Sequence, residues 1–114
     1  MTATYVPDTG DLVWLSYDDP AGREQAGRLP FLVLTPRKYN ERTSLLVGVP
    51  VTAKRKGYPF QVELPPEGSI HGVLMVDHLK SLDWRARGAV HAAVADRTTV
   101  RDVRSLIATI LNLR

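Results

Sequence analysis

The chain has 114 residues, enough for one domain with a single hydrophobic core, and we expect residues 1–114 to form that domain. A hydrophobic fraction of 44% and a charged fraction of 24% are typical of a globular protein and argue against a disordered chain. Lysine and arginine outnumber the acids by 15 to 12, and the lack of cysteine excludes disulfides, thiolate metal ligands and a cysteine nucleophile.

The N-terminal sequence MTATYVPDTGD has no basic segment followed by an apolar run. No stretch of the chain approaches the roughly 18 apolar residues of a membrane span. We therefore expect a cytoplasmic protein without a membrane partner.

Basic residues are concentrated in three short segments, each next to a turn or the end of an apolar run. The segments are LTPRKYNER, TAKRKG and WRARG. Such loops on one rim of a domain are suited to a phosphate backbone, which favours an acidic partner. The alternative is that they carry solvated charges without a binding role.

Three strands are predicted in the first half of the chain. The run DLVWLSY is apolar almost throughout, so it should be buried on both faces, with Trp14 in the core. The loop 18–27 is long for a small domain, and such loops are often functional. Pro50 should place the end of the third strand at an edge or a bulge. The strands are predicted at 11–17, 31–35 and 45–52, with a turn at 36–43.

The second half is predicted to contain three more strands and a closing helix. The alternating segment YPFQVEL suggests a strand with one exposed face. The segment VLMVDHLKSL also predicts a strand, and ARGAVHAAV suits a strand or an alanine-rich helix. From residue 98 the apolar period becomes helical, with Thr98 or Thr99 as N-cap and Asp102 in the first turn. The apolar stripe of this helix comprises Val100, Val103, Leu106, Ile107, Ile110 and Leu111.

About six short strands and one helix predict a mainly β fold, a small and strongly bent β-barrel with the C-terminal helix packed against it. His71, His78 and His91 lack the spacing of a metal site, and we expect neither a metal nor another cofactor. The sequence contains no G-x-S-x-G, P-loop or G-x-G-x-x-G motif.

The remaining acid, arginines and threonine near strand ends suit one reaction that needs no metal. RNA carries its own nucleophile, the 2′-hydroxyl, so an enzyme need only move protons and stabilise charge on the phosphorane. Glu24 would act as the base or orient an arginine, while an arginine and Thr52 would brace the phosphorane oxygens. The alternative is that Glu24 is an ordinary loop carboxylate and Thr52 a strand-end hydroxyl bonded to backbone.

Blocks of this sequence resemble the MazF/PemK family of toxins in order and spacing. They are YVPDTGDLVW, EQAG, VPVT followed by KGYPF, and KSLDWRARGA, which together span residues 5–89. The resemblance implies an SH3-like small β-barrel of the MazF/CcdB toxin type, and a homodimer.

The same resemblance implies the toxin of a type II toxin–antitoxin system. Such a toxin is a metal-independent, sequence-specific endoribonuclease, an mRNA interferase that cuts single-stranded RNA and so inhibits translation. Its products carry 2′,3′-cyclic phosphate and 5′-hydroxyl ends. The implied protein partner is a MazE-like antitoxin whose acidic, flexible tail lies along the RNA-binding surface.

Three residues are candidates for catalysis under this resemblance. Glu24 and Thr52 match the family's loop glutamate and its Ser/Thr. The family commonly has G-x-R-P where this chain has Gly27-Arg28-Leu29-Pro30, so Arg28 stands one residue early. A one-residue shift in an extended segment turns a side chain to the opposite face. Arg28 therefore reaches the phosphate only if the loop end bulges or twists. Otherwise another basic residue such as Arg23 takes the place of the family's arginine.

The basic and aromatic residues of the other loops become candidate RNA contacts. Phosphate contacts are expected from the lysines and arginine of AKRKG, base stacking from one tyrosine, and base-edge contacts from the DHLK segment. Two later arginines would serve RNA or the dimer interface. The candidate substrate-binding residues are Arg23, Lys54, Arg55, Lys56, Tyr58, Asp77, His78, Lys80, Arg85 and Arg87.

Two other functions remain open from the sequence. A toxin of the same barrel could poison DNA gyrase, as the CcdB family does, although the C-terminal ILNLR lacks that family's terminal Trp-Gly-Ile. The displaced arginine also leaves open an inactive family member that only binds antitoxin or RNA.

Overall fold

A computed structural model describes residues 5–17 and 27–113, within which seven strands and two α-helices are formed. The predicted fold, mainly β with a C-terminal helix, is confirmed. The strands are β1 (Asp11–Tyr17), β2 (Gly27–Val33), β3 (Leu45–Thr52), β4 (Gln61–Glu63), β5 (Val73–Met75), β6 (Lys80–Asp83) and β7 (Val90–Val94), and the helices are α1 (Arg37–Thr43) and α2 (Arg97–Leu111).

The strands pair in the order β4-β5-β3-β2-β1-β7, and β6 pairs with β3 outside that path. All of these pairings are antiparallel. Strand β3 is the hub, because β2 lies on one side of it and β6 followed by β5 on the other. Its end therefore lies among β2, β5 and β6.

Pro50 lies inside the sheet, which corrects the expectation of an edge or bulge. It pairs with Phe31 of β2, and it is buried. On the other side of β3, Gly48 pairs with β6 and Val51 pairs with β5. A proline lacks an N–H to donate. It is tolerated here because β3 changes partner at this position.

The core consists of two apolar clusters on opposite faces of the sheet. Neighbouring residues in a strand point to opposite faces, so Leu32 joins one cluster while Phe31 and Val33 join the other. Each such fully buried side chain contributes roughly 1.5–3 kcal/mol to folding. Trp84 is buried, whereas Trp14 is 37% exposed, so the predicted core position of Trp14 is wrong. Strand β1 is thus buried on both faces over only part of its length.

Helix α2 covers the cluster that contains Leu32. Val103 is fully buried there, and Val100, Leu106 and Ile107 pack around it, as the predicted stripe requires. Ile110 and Leu111 are exposed, so the stripe does not continue to the end of the helix.

Helix α2 begins earlier than predicted. Its N-cap is Asp96, not Thr98 or Thr99, and Asp102 consequently lies beyond the first turn. The Thr99 hydroxyl donates to the Asp96 carboxylate, and this bond is the main cause that lowers the pKa of Asp96. Within the described part of the chain, no helix is long and apolar enough to cross a membrane.

Helix α1 replaces the turn predicted at 36–43. It is held from within by Asn40, which is fully buried and donates through Nδ2 to the carbonyls of Pro7 (2.8 Å) and Thr35 (2.9 Å). The Trp84 indole N–H in turn donates to the Asn40 carbonyl at 2.9 Å. Pro7 and Trp84 are distant from Asn40 in sequence, so the polar segment RKYNERT by itself gave no helical signal.

Other boundaries differ more modestly from the prediction. The predicted strand 73–82 is divided into β5 and β6 by a 3₁₀ turn at Val76–His78, and 58–64 shortens to β4. Strand β2 begins at Gly27 rather than at Phe31, which brings Arg28 and Leu29 into the sheet. The segment 86–94 resolves into a turn and β7, not a helix.

Candidate functional site

A small depression of about 20 Å³ lies at the end of β3, and residues of five strands line it. Thr52 is the last residue of β3, Lys80 the first of β6, Tyr17 the last of β1, and Leu29 comes from β2. The floor and rim are lined by Tyr17, Leu29, Pro50, Val51, Thr52, Met75, His78 and Lys80. The structure thus brings the predicted catalytic threonine next to two of the predicted RNA contacts.

Thr52 lines this depression and is half-buried. Its Oγ1 accepts a hydrogen bond from the Lys54 backbone N–H at 3.2 Å, as expected for a strand-end hydroxyl. An acceptor bond leaves the hydroxyl proton available to donate to a ligand oxygen. Thr52 is therefore oriented by the backbone and still able to act.

Gly72 fixes the backbone next to Thr52. Its φ is +127°, and a Cβ at this position would lie 2.5 Å from the Thr52 carbonyl oxygen. Only glycine permits both this conformation and this approach. The chain leading into β5 can therefore close against the end of β3.

Lys80 is held in the depression by Tyr17. Its Nζ donates to the Tyr17 hydroxyl at 2.9 Å and lies 5.1 Å from the centre of the same ring. The Tyr17 ring packs edge-on against the buried Phe31, with ring centres 5.6 Å apart. A lysine restrained in this way presents its charge at a defined place, at a smaller entropic cost on binding.

Arg28 faces away from the depression. It pairs with Ser16 on β1, and Leu29 pairs with Leu15, so the two side chains lie on opposite faces of β2. The Arg28 Nη2 donates to the carbonyls of Trp14 (3.0 Å) and Gly88 (2.7 Å). Leu29, not Arg28, lines the depression with Thr52.

Two more predicted arginines hold the turn that follows β6. The Arg87 Nη1 donates to the Ser16 carbonyl at 3.0 Å and lies 5.8 Å from the Tyr17 ring centre. The Arg85 Nη2 donates to the Glu41 carbonyl at 3.1 Å, and its guanidinium lies 4.4 Å from the Trp84 ring centre. Their described contacts are therefore structural.

A second, larger basin of about 240 Å³ adjoins the depression. It is lined by Lys56, Tyr58, Gln61, Met75, Asp77 and His78, and it shares Met75 and His78 with the depression. The two concavities are therefore neighbours, and Thr52 lines the smaller one.

Tyr58 and Asp77 form a polar pair in this basin. The Tyr58 hydroxyl donates to Asp77 Oδ2 at 2.7 Å, and this bond is the main cause that raises the pKa of Tyr58. His78 Nε2 lies 4.0 Å from Asp77 Oδ1. Together with His78, the pair offers an aromatic face, a carboxylate and an imidazole to whatever occupies the basin.

The basic segment at 54–56 contains one neutralised charge. Arg55 Nε donates to the Glu63 carboxylate at 3.0 and 2.9 Å, and Nη2 contacts the same group. These bonds raise the pKa of Arg55 and lower that of Glu63. Gln61 fixes the loop by accepting from the Lys56 N–H and donating to the Lys54 carbonyl. Lys54 and Lys56 flank the pair at exposed positions.

Glu24 and Arg23 lie outside the described residues. The site residues that sequence reasoning missed are Tyr17, Leu29, Gln61 and Met75. They carry no motif of their own, because the antiparallel pairing of distant strands is what brings them to the depression and the basin.

The chain is similar in sequence to known endoribonuclease toxins. Residues 8–111 match the sequence profile of the PemK-like, MazF-like toxins of type II toxin–antitoxin systems. The endoribonuclease toxin MazF of Escherichia coli K12 is 48% identical over 89 residues, which cover 78% of this chain and 79% of that protein. The endoribonuclease PemK of E. coli is 34% identical over 110 residues, which cover 91% of this chain and 81% of that protein.

The fold agrees with these sequence matches. The MazF chain of a MazE–MazF crystal structure (form II) from Deinococcus radiodurans superimposes with a TM-score of 0.90 at 46% identity, covering 97% of this chain and 100% of the other. A crystal structure of MazF itself (form I) from the same organism gives a TM-score of 0.89 at 46% identity, covering 96% of this chain and all of the other. The family resemblance and the expected toxin fold are confirmed, and the chain belongs to the PemK-like, MazF-like toxins of type II toxin–antitoxin systems.

Proposed function

We propose that this endoribonuclease toxin cuts single-stranded RNA, chiefly mRNA, at the depression around Thr52, without a metal. One observation supports this place above others. Thr52, which matches the family's catalytic Ser/Thr, lines the same depression as the restrained Lys80. Tyr17 and Leu29 also line it, and they belong to β1 and β2, the two strands that segment 18–26 connects. That segment contains Glu24.

The proposed reaction is an internal transfer at phosphorus. The 2′-oxygen of the RNA attacks the adjacent phosphorus, the P–O5′ bond breaks, and the products are a 2′,3′-cyclic phosphate and a 5′-hydroxyl. A base accepts the 2′-hydroxyl proton, and the leaving 5′-oxygen takes up a proton. The protein's main task is to orient the phosphate and stabilise the added charge on its non-bridging oxygens.

Thr52 and Glu24 have separate roles in this proposal. The Thr52 hydroxyl donates to a non-bridging oxygen. Glu24 is the candidate base; it precedes Gly27 by three residues, which limits the distance between their α-carbons to about 11 Å. Arg28 remains a predicted catalytic residue, although its contacts with Trp14 and Gly88 favour a structural role.

The second basin would hold the nucleotides next to the cut. Tyr58 offers a surface on which a base can stack, while Asp77 and His78 offer groups that can bond base edges. Lys54 and Lys56 would contact phosphates. Because Glu63 pairs with Arg55, that arginine should contribute less to RNA affinity than its neighbours.

The biological setting follows from the family. We propose that the chain acts as a cytoplasmic homodimer, inhibits translation by cutting mRNA, and is neutralised by a MazE-like antitoxin with an acidic, flexible tail. The gyrase-poisoning alternative loses support, because the matching relatives are endoribonucleases. Absence of any cleavage in the test below would instead indicate an inactive member that only binds antitoxin or RNA.

The test is incubation of the purified protein with a long single-stranded RNA in EDTA, followed by mapping of cut sites and end groups. We expect discrete cuts with 2′,3′-cyclic phosphate ends. Thr52→Ala should lower the rate by about 100-fold, the effect of losing one donor to a developing oxyanion. Thr98→Ala, an exposed threonine on α2, is the matched control. Cleavage only after magnesium is added, or equal cleavage by Thr52→Ala, would contradict the proposal.

A further inference from the structure

We infer that Lys80, held by Tyr17, is the catalytic cation of this chain, the group that neutralises the charge developing on the phosphorane. This inference rests on the proposed function and assigns to Lys80 a role in the chemical step as well as in RNA binding. It starts from the side chains that surround the Thr52 hydroxyl.

The depression needs a positive charge that Thr52 cannot provide. In the phosphorane, the non-bridging oxygens carry more negative charge than in the RNA, and a preorganised cation stabilises that increase most. The strand position that faces the depression from β2 is occupied by Leu29, which is neutral. Of the described side chains that line the depression, only Lys80 and His78 can be cationic, and a lysine has the full charge at neutral pH.

Arg28 is poorly placed to provide this charge. Its Nη2 is shared between two carbonyl acceptors, and its side chain lies on the opposite face of β2 from Leu29. Moving it to the depression would break both hydrogen bonds and would require a turn of the strand. Lys80 needs no such movement.

The position of Lys80 is preorganised. The lysine pairs with Gly48 on β3, the same strand that ends in Thr52. Its Nζ already has one acceptor, the Tyr17 hydroxyl at 2.9 Å, and an ammonium group has two further N–H donors for phosphate oxygens. In this role Lys80 donates hydrogen bonds and transfers no proton, so the proton balance of the reaction is unchanged.

The first experiment compares Lys80→Met and Lys80→Arg with the wild type, using the full chain in EDTA. We expect Lys80→Met to lower the single-turnover cleavage rate at saturating protein by about 10²- to 10³-fold, as for loss of one oxyanion-stabilising group. Affinity for an RNA with a 2′-deoxy nucleotide at the cut site should change far less. Lys80→Arg should retain most of the rate. Arg104→Met, which removes an exposed positive charge from α2, is the control for lost charge.

A second experiment separates loss of charge from loss of folding. The chain has no cysteine, so Lys80→Cys introduces a single thiol. Alkylation with 2-bromoethylamine places an ammonium group there again, and we expect it to restore cleavage by at least tenfold. Alkylation with iodoacetamide, which adds a neutral group, should restore nothing.

The outcomes distinguish this inference from the proposed function. If the wild-type protein makes no cuts in EDTA, both are overturned. If the wild type and Lys80→Met cut at equal rates, the inference alone is overturned, and another cation such as Arg23 neutralises the phosphorane. Lys80→Met could instead bind RNA more weakly, cut more slowly at subsaturating protein by the same factor, and cut at the wild-type rate at saturating protein. That result would limit Lys80 to RNA binding and would also overturn the inference.

Discussion

Replacing Arg28 with methionine should lower the stability of the protein more than it lowers the rate of RNA cleavage. The substitution keeps an unbranched side chain but removes the Nη2 donor that serves the carbonyls of Trp14 (3.0 Å) and Gly88 (2.7 Å). Each such hydrogen bond contributes about 1 kcal/mol, so the expected loss is about 2 kcal/mol. For a domain of this size, that corresponds to a fall in Tm of roughly 8 °C.

The assay measures both properties on the same preparations. Thermal unfolding is followed by circular dichroism at one fixed protein concentration, because the stability of a dimer depends on concentration. Cleavage is measured under single-turnover conditions at least 20 °C below the Tm of the variant, a margin chosen so that unfolding does not contribute. Arg101→Met removes an exposed arginine on α2 and serves as the matched control.

The two roles of Arg28 predict opposite results. A structural Arg28 gives a lower Tm and a cleavage rate within about threefold of the wild type. A catalytic Arg28 gives a rate lower by about 10²-fold or more with little change in Tm. The second result would refute the reasoning from the register of β1 and β2 and would restore the role that the sequence suggests.

Two further predictions concern the backbone around the site. Gly72→Ala should lower both the Tm and the cleavage rate, because a Cβ would lie 2.5 Å from the Thr52 carbonyl oxygen at a φ of +127°. Gly68→Ala is the control and should change neither, because the nearest atom to its Cβ would be 3.6 Å away. Equal effects of the two substitutions would contradict this prediction. The Asp83 carboxylate accepts a hydrogen bond from the Ala86 N–H, and this bond lowers the pKa of Asp83 below its ordinary value of 3.8. The ionised carboxylate therefore stabilises the fold fully above pH 3.8. This stabilisation disappears as the pH falls through the pKa that Asp83 has in the folded protein. Asp83→Asn should therefore unfold at lower temperature than the wild type at pH 7, with a difference that shrinks below about pH 3.8; a constant difference would contradict it.

Several features of the fold were predictable because they depend on local pattern. The apolar period of α2 located its buried stripe around Val103, since a helix must place one face on the core. The apolar run of β3 gave that strand its observed limits, Leu45–Thr52. Helix α1 was missed, because the helix depends on the buried Asn40 and its hydrogen bonds with the distant residues Pro7 and Trp84. Trp14 was misplaced because the face of β1 that is buried at Leu12 is exposed two residues later at Trp14, which the composition of the strand does not reveal.

The sequence by itself determined the family, the barrel-like toxin fold and the presence of Thr52 at the end of a strand, because these depend on motifs and on short-range periodicity. It also showed that Arg28 precedes the expected position by one residue. Only the tertiary structure decided what that shift means. The pairing of β1 with β2 sets which face each side chain occupies, so Leu29 joins Thr52 while Arg28 binds the Gly88 turn. Lys80 is 28 residues from Thr52 in the chain, and only the shared strand β3 brings the two into one depression.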